Sequence, residues 1–183
     1  MGRDKALIEL DGEPLVQRSR RALIEAGATS VSIVGGDHDR LGALGLTVID
    51  DDEPGSGPVG AVATALGADP AGQDGCDLVV VLACDLAEPS PAAITATVEA
   101  LDAASHAGLA CPELDGIPQW LHACWRASVV LQPLRDALAE GHRSFRSAVG
   151  SLHRVVVTVD PEALGDLDTP EALSNRRPGT PRR

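Results

Sequence analysis

Asp85 stands just past the run Leu78–Leu82, five consecutive apolar residues of which three are valine. Such a run is what a buried central strand covered on both faces requires. A carboxylate at the end of that strand is costly to desolvate unless it is paired or binds a cation. Asp and Glu oxygens are ordinary protein ligands of Mg²⁺, which also takes substrate phosphates. Position alone leaves that role level with a turn or helix-capping Asp ahead of Pro89.

Asp51 lies in an acidic run that leads into Pro54-Gly55-Ser56-Gly57-Pro58. Acidic runs are commonly solvated faces, but Gly57 followed by Pro58 brings backbone close to something and then starts a helix. A helix N-terminus can hold an anion, and a purely structural turn fits the pattern equally well. Lys5, beside Arg3 and Asp4, reads alone as a surface lysine. Asp166-Leu167-Asp168-Thr169-Pro170 reads as a helix entry, with Asp168 or Thr169 as cap and Pro170 as first helical residue.

Composition narrows the field of functions. Aromatic residues are 2% of the chain, which argues against a base-stacking nucleic-acid surface. The net charge is −12, and four of the 15 basic residues (Arg176, Arg177, Arg182, Arg183) fall in the last nine positions. Without that tail, 11 basic residues face 27 acidic ones, a field that repels DNA, RNA and anionic membrane. A phosphate compound must therefore be held by local cations, backbone N–H groups or a metal. Cys76, Cys84, Cys111 and Cys124 show no C-x-x-C spacing, so neither zinc nor dithiol chemistry is signalled. The five histidines form no close metal pair, and no Gly-x-Ser-x-Gly elbow is present. Residues 1–14 are charged and have no apolar signal-peptide core, and no run approaches the ~18 apolar residues of a membrane span. Reduced cysteines in a cytoplasmic protein are the expectation.

These side chains need a frame. Residues 14–26 have helical periodicity, with Leu15, Ser19, Ala22, Leu23 and Ala26 on one face. Residues 31–34 and 46–49 read as short strands, 59–66 as a helix, and Leu78–Leu82 as a central strand. A helix over 94–104 follows, then strands at 109–111 and 121–124 around a turn at Leu114-Asp115-Gly116. A helix over 129–138 and a strand over 154–159 complete the set. The core is expected to be Ala, Val, Leu and Ile. Strands alternating with helices predict a three-layer, Rossmann-like α/β fold, a mostly parallel sheet with helices on both faces. Ligands in such sheets sit beyond the carboxyl ends of the strands, so loops 35–38, 51–58 and 84–89 should converge.

Taken together, five segments in order resemble the molybdenum cofactor guanylyltransferase (MobA-like) family of nucleotidyltransferases. They are Met1-Gly2-Arg3-Asp4-Lys5-Ala6-Leu7, Gly12-Glu13-Pro14-Leu15, Asp51 with Gly57-Pro58-Val59-Gly60, Leu82-Ala83-Cys84-Asp85, and Asp166-Leu167-Asp168-Thr169-Pro170. The stretch Gln119 to Arg126 is similar to the family's segment before its late helix. The resemblance implies one nucleotidyltransferase domain over residues 1–174, followed by a disordered tail at 175–183. It also implies transfer of GMP from GTP, with Mg²⁺, to a molybdopterin phosphate, releasing pyrophosphate. By position, Lys5 would contact the nucleotide phosphates, and Asp51, Gly57 and Pro58 would line the nucleotide pocket. Asp85 would hold Mg²⁺, and Asp166 and Asp168 would face the second substrate or the metal. Proteins of molybdoenzyme maturation are implied partners.

Two departures from the family pattern stand out. The family opens with a strand, expected at the centre of the sheet, and a Leu-Ala-Gly-Gly loop whose N–H groups cradle phosphates. This sequence begins after that point, as if Met1 were an internal methionine of a longer chain or the segment were lost. Ala87 stands where the family usually has proline, which alters the loop and leaves the Asp85 carboxylate in place. The competing expectations are a sister enzyme using CTP or another phosphorylated acceptor, and an inactive homologue that binds a cofactor or partner.

Overall fold

The computed structural model describes residues 5–68 and 77–165. Lys5–Leu7 forms a single 3₁₀ turn, followed by a small hairpin of β1 (Glu9–Leu10) and β2 (Glu13–Pro14). Asp11 (φ 53) and Gly12 (φ 80) make its turn, both in the left-handed region that this tight reversal demands. Helix α1 (Leu15–Glu25) buries Leu15, Val16, Ser19 and Ala22, the face that the 3.6-residue period predicts. Pro14 closes β2 and precedes α1 as its cap residue, one position before the expected first helical turn.

Strands β3 (Ser32–Val34) and β4 (Thr47–Ile49) pair in parallel, with helix α2 (His38–Ala43) between them. Helix α3 (Gly57–Gly67) leads towards β5 (Leu78–Leu82). Helix α4 (Pro91–Ala103) starts three residues earlier than its apolar period, because Ser90 caps it and Pro91 fits its first turn. The remaining elements are β6 (Leu109–Leu114), β7 (Ile117–Pro118), β8 (His122–Arg126), α5 (Ala127–Ala139), α6 (Phe145–Val149) and β9 (Arg154–Val157). A last 3₁₀ turn covers Pro161–Leu164. Helices α2 and α6 are absent from the periodicity reading because six and five residues are too short to show a period. Their start signals lie in their caps: Asp37 accepts from Arg40 N and Ser144 from Ser147 N.

In the main sheet, β5 pairs with β8, β8 with β6, and β6 with β9. The first two pairings are antiparallel and the last is parallel, and the two-residue β7 also pairs antiparallel with β6, so β5, β6 and β9 share one direction and β8 and β7 run against them. The alternating residues divide the sheet's faces. Val79, Val81, Leu109, Cys111, Ala123 and Trp125 pack with α3, α5 and α6. Leu78, Val80, Ala110, Cys124, Val155 and Val157 pack towards Leu101 of α4. Helix α1 lies against α4, which completes the three-layer order. No described helix is long and apolar enough to cross a membrane.

Two expectations are corrected. Strand β5 is not fully enclosed: all five residues are only half-buried, because among the described residues a single strand, β8, pairs with it. The β3–β4 pair makes no ladder with it, and α3 touches both pieces. The core also uses its few aromatics more than composition suggested. Trp125 is fully buried, and Trp120, Trp125 and Phe145 stack together with centroids 5.6–6.3 Å apart. Concentrating all three rings in one cluster lets a chain poor in aromatics fill the wide space between sheet and helices.

Candidate active site

The chain leaves β5 through Ala83 and Cys84 and presents Asp85 at the carboxyl end of the strand. The next two residues, Leu86 and Ala87, are buried, so the loop is pinned rather than draped over the surface. Ala83 N donates to Leu121 O at 2.8 Å, which carries the β8 ladder one step past the end of β5. The Asp85 side chain keeps 21% exposure, and its Oδ2 lies 3.5 Å from Lys5 Nζ. Eighty residues separate the two in sequence. Lys5 is 44% exposed, so this ammonium faces the open side of the site.

Helix α1 holds this arrangement from behind. Arg18 Nη1 donates to Ala87 O at 3.0 Å, and Nη2 donates to Leu10 O at 2.8 Å. Ser19 Oγ donates to Ala83 O at 3.0 Å. Leu10, Leu15 and Ala87 form a small buried cluster, with Ile8 against it. The hairpin that follows Lys5 and the loop that carries Asp85 are thus packed together and share one guanidinium.

His122, opposite Leu82 in the β5–β8 ladder, lies in the field of Asp85. Burial pushes its pKa down to about 4, and the Asp85 charge offsets only part of that. The ring is therefore neutral at pH 7, and its buried Nε2 has no hydrogen-bond partner among the described residues.

Asp51 takes a different part. Its Oδ1 accepts from Glu53 N at 3.0 Å and from Thr64 Oγ1 at 3.3 Å. The carboxylate thereby braces its own loop against α3. Gly35 comes so near that a methyl group added to it would lie 3.7 Å from Asp51 Cβ. Loops 35–36 and 51–57 are neighbours, and Cys84 packs against the same cluster as Ile33 and Val48. Among the described residues the expected convergence of strand-end loops extends this far: loop 35–36 meets loop 51–57, and the start of the Asp85 loop packs with β3 and β4 through Cys84.

Gly57 (φ 68) lies in the left-handed region, and Pro58 follows it in the first turn of α3. Ser56 gives that helix no side-chain cap, so its first N–H groups are not closed off by a hydroxyl. At Gly60 a methyl group would meet Ser56 Cβ at 2.8 Å and Glu53 Cβ at 3.0 Å, so the loop lies directly on the helix backbone. A reading of the sequence that finds no Gly-x-Gly-x-x-Gly is corrected here: Gly55, Gly57 and Gly60 stand at that spacing after β4, the last two within α3.

Asp166, Asp168 and the tail at 175–183 lie outside the described residues. Lys5 and Asp85 are brought into contact, whereas Asp51, Gly57 and Pro58 form a separate group around the start of α3. Arg18, Ser19 and His122 are the site's unexpected members. Ser19 was legible as a polar residue on the apolar face of α1, while the acceptors of Arg18 are backbone carbonyls with no sequence signature.

The MobA-like NTP transferase domain model matches residues 1–159. The chain belongs to this family. It is 33% identical over 177 residues to the molybdenum cofactor guanylyltransferase of Rhodobacter capsulatus, covering 95% of this chain and 86% of that relative. It is 42% identical over 86 residues to a probable molybdenum cofactor guanylyltransferase of Opitutus terrae, a match spanning 47% of this chain and 42% of that relative. Among solved structures it resembles molybdopterin-guanine dinucleotide biosynthesis protein A from Archaeoglobus fulgidus, with TM-score 0.71 and 21% identity over 94% of this chain and 88% of that one. It also resembles 2-C-methyl-D-erythritol 4-phosphate cytidylyltransferase from Thermus thermophilus, with TM-score 0.67 and 16% identity over 93% and 90% of the two chains. These likenesses establish the fold, and the family match makes this MobA-like chain a nucleotidyltransferase.

Proposed function

We propose that this MobA-like nucleotidyltransferase transfers GMP from GTP to the phosphate of molybdopterin and releases pyrophosphate. The observation that carries the reading is the Lys5–Asp85 contact at the carboxyl end of β5, a cation and a carboxylate that both keep part of their exposure. The family match and the relatives named as molybdenum cofactor guanylyltransferases support guanine and the acceptor.

Bond by bond, an oxygen of the acceptor phosphate attacks the α-phosphorus of GTP. A new P–O bond forms, the bond to the bridging oxygen of the β-phosphate breaks, and pyrophosphate leaves with that electron pair. The attacking oxygen is already anionic, so no side chain has to remove a proton. Such chemistry needs mainly positioning and charge neutralisation. Lys5 would offset phosphate charge, and the first N–H groups of α3, at Gly57 and Val59 on either side of Pro58, would face the nucleotide. Asp51 would keep that loop in place, with its second oxygen left for the ribose or base. Asp166 and Asp168 would serve the acceptor or the metal.

The donor set suits Mg²⁺. Asp85 is a reachable carboxylate, and no group of three or more His, Cys, Asp or Glu side chains gathers among the described residues. Mg²⁺ is commonly held by one or two carboxylates together with substrate phosphates rather than by an all-protein cage. When bound, it would supply charge neutralisation at the phosphates, with Asp85 as its protein ligand.

The likeness to a cytidylyltransferase favours CTP as the second reading. Thermal melts with GTP–Mg²⁺ and with CTP–Mg²⁺ separate the two, because a ligand that binds only the folded state raises its stability. A larger shift with GTP, together with pyrophosphate release in the presence of molybdopterin, is the expected result. A larger shift with CTP reverses the assignment, and no shift with either points to the non-catalytic homologue.

A further inference from the structure

We infer that the adjacent pair Arg18–Ser19 of α1 positions Asp85 relative to Lys5, and so sets the geometry of the phosphate and metal groups. The inference rests on the reading of Lys5 and Asp85 given above. Neither Arg18 nor Ser19 is read as touching substrate; both act through backbone.

The carbonyls that the pair holds bracket the carboxylate. Ser19 Oγ donates to Ala83 O, two residues before Asp85, and Arg18 Nη1 donates to Ala87 O, two residues after it. Arg18 Nη2 donates to Leu10 O at 2.8 Å, in the hairpin that begins where the Lys5 turn ends, with Ile8 N donating to Lys5 O at 3.1 Å. One rigid fork therefore spans both segments that carry the charged groups. The Arg18 side chain is only 14% exposed, and Ser19 is buried. Asp11 Oδ2 at 3.3 Å and Glu13 Oε2 at 3.6 Å offset its charge from the solvent side. A guanidinium offers parallel donors in a fixed plane, which a lysine ammonium cannot reproduce. Helix α1 is the rigid body that carries both donors, so movement of the Asp85 loop must break at least one of these bonds.

The test compares Arg18→Ala, Arg18→Lys and Ser19→Ala with the parent chain. Three readouts are taken: kcat of pyrophosphate release from GTP–Mg²⁺ with molybdopterin, amide exchange at Leu86 and Ala87, and thermal stability. Misplacing a reacting group by about an ångström costs on the order of 10²-fold in rate, so Arg18→Ala is expected to lower kcat about that much. Exchange at Leu86 and Ala87 is expected to rise by about tenfold as the loop opens locally. Millimolar guanidinium should restore part of both losses in Arg18→Ala and of neither in Ser19→Ala. Arg18→Lys, which keeps the charge and the packed stem, should melt with the parent and stay slow; it also serves if Arg18→Ala does not fold. Parent-like kcat and exchange in Arg18→Ala overturn the inference. So does guanidinium that restores melting temperature without restoring either rate or exchange protection, the mark of a purely structural residue. If the parent chain itself shows no turnover, the functional reading fails, and the exchange readout still decides whether Arg18 fixes the loop.

Discussion

Lys5 Nζ and Asp85 Oδ2 lie 3.5 Å apart at the carboxyl end of β5, the ammonium on a 3₁₀ turn before the first hairpin and the carboxylate past the strand. The pair brings opposite charges to one point of a protein that is strongly acidic overall. It lies too near solvent to hold the fold together, since pairs of this kind contribute about 0–1 kcal/mol. Under the proposed function its value is in the site, where each partner would hold the other in place until phosphates arrive.

Lys5→Ala and Asp85→Ala are therefore expected to melt close to the parent and to lose activity. Removing one preorganised electrostatic group typically costs about 10²–10³ in kcat. Steady-state pyrophosphate release paired with thermal melts checks this, and a loss of folding equal to the loss of rate would contradict it.

Gly60 and Gly57 should fail for different reasons. Gly60→Ala places a methyl group 2.8 Å from Ser56 Cβ and drives the 53–56 loop off α3, with overpacking costs of about 1–3 kcal/mol. Gly57→Ala meets nothing within 4 Å but must adopt φ 68, at a cost of about 1–2 kcal/mol. Urea unfolding measures both. GTP–Mg²⁺ affinity should fall more for Gly60→Ala, because its strain is relieved only by moving the loop.

The neutral His122 makes stability depend on pH on the acid side. Its folded pKa of about 4 lies below the ordinary 6.5, so between these values the unfolded chain binds more protons than the folded one. By linkage, stability on this account is fully present above about pH 6.5 and falls as the pH drops towards 4, by about 3 kcal/mol at most. His122→Gln should flatten that part of the profile, read by urea unfolding from pH 7 to pH 4. An unchanged slope would show that other groups carry the acid sensitivity.

The cysteines should differ in reactivity. Cys111 and Cys124 are buried, and burial pushes the Cys111 thiol up to about 11, so neither should alkylate readily in the native state at pH 8. Cys84 is half-buried and adjoins Asp85, so among these three it should label first. GTP–Mg²⁺ should slow that labelling, which peptide mass mapping after brief iodoacetamide treatment will show.

Much of this architecture was legible in the residues themselves. Alternation of apolar runs with helical periods specified the α/β class, and the strand at Leu78–Leu82 appears with the bounds its composition drew. Asp85 was marked by its place after that strand, and Gly57-Pro58 by the conformations those residues demand. These signals are local: period, turn chemistry and backbone preference act within a few residues, so a sequence carries them openly.

The tertiary structure decided what depends on distance through space. The contact of Lys5 with Asp85 joins residues 80 positions apart; their flanking segments assign both to the phosphates by resemblance alone, and no local period or turn signal pairs them. Arg18 finds its partners in carbonyls at Leu10 and Ala87, and every residue type offers a carbonyl. His122 reads as an ordinary strand histidine until burial shifts its titration. The half-burial of β5 follows from which described strands pair with it, which five apolar residues do not encode. Sequence determined the elements and the types of group they carry. The packing of α1 and the first hairpin against the end of the sheet determined which of those groups meet.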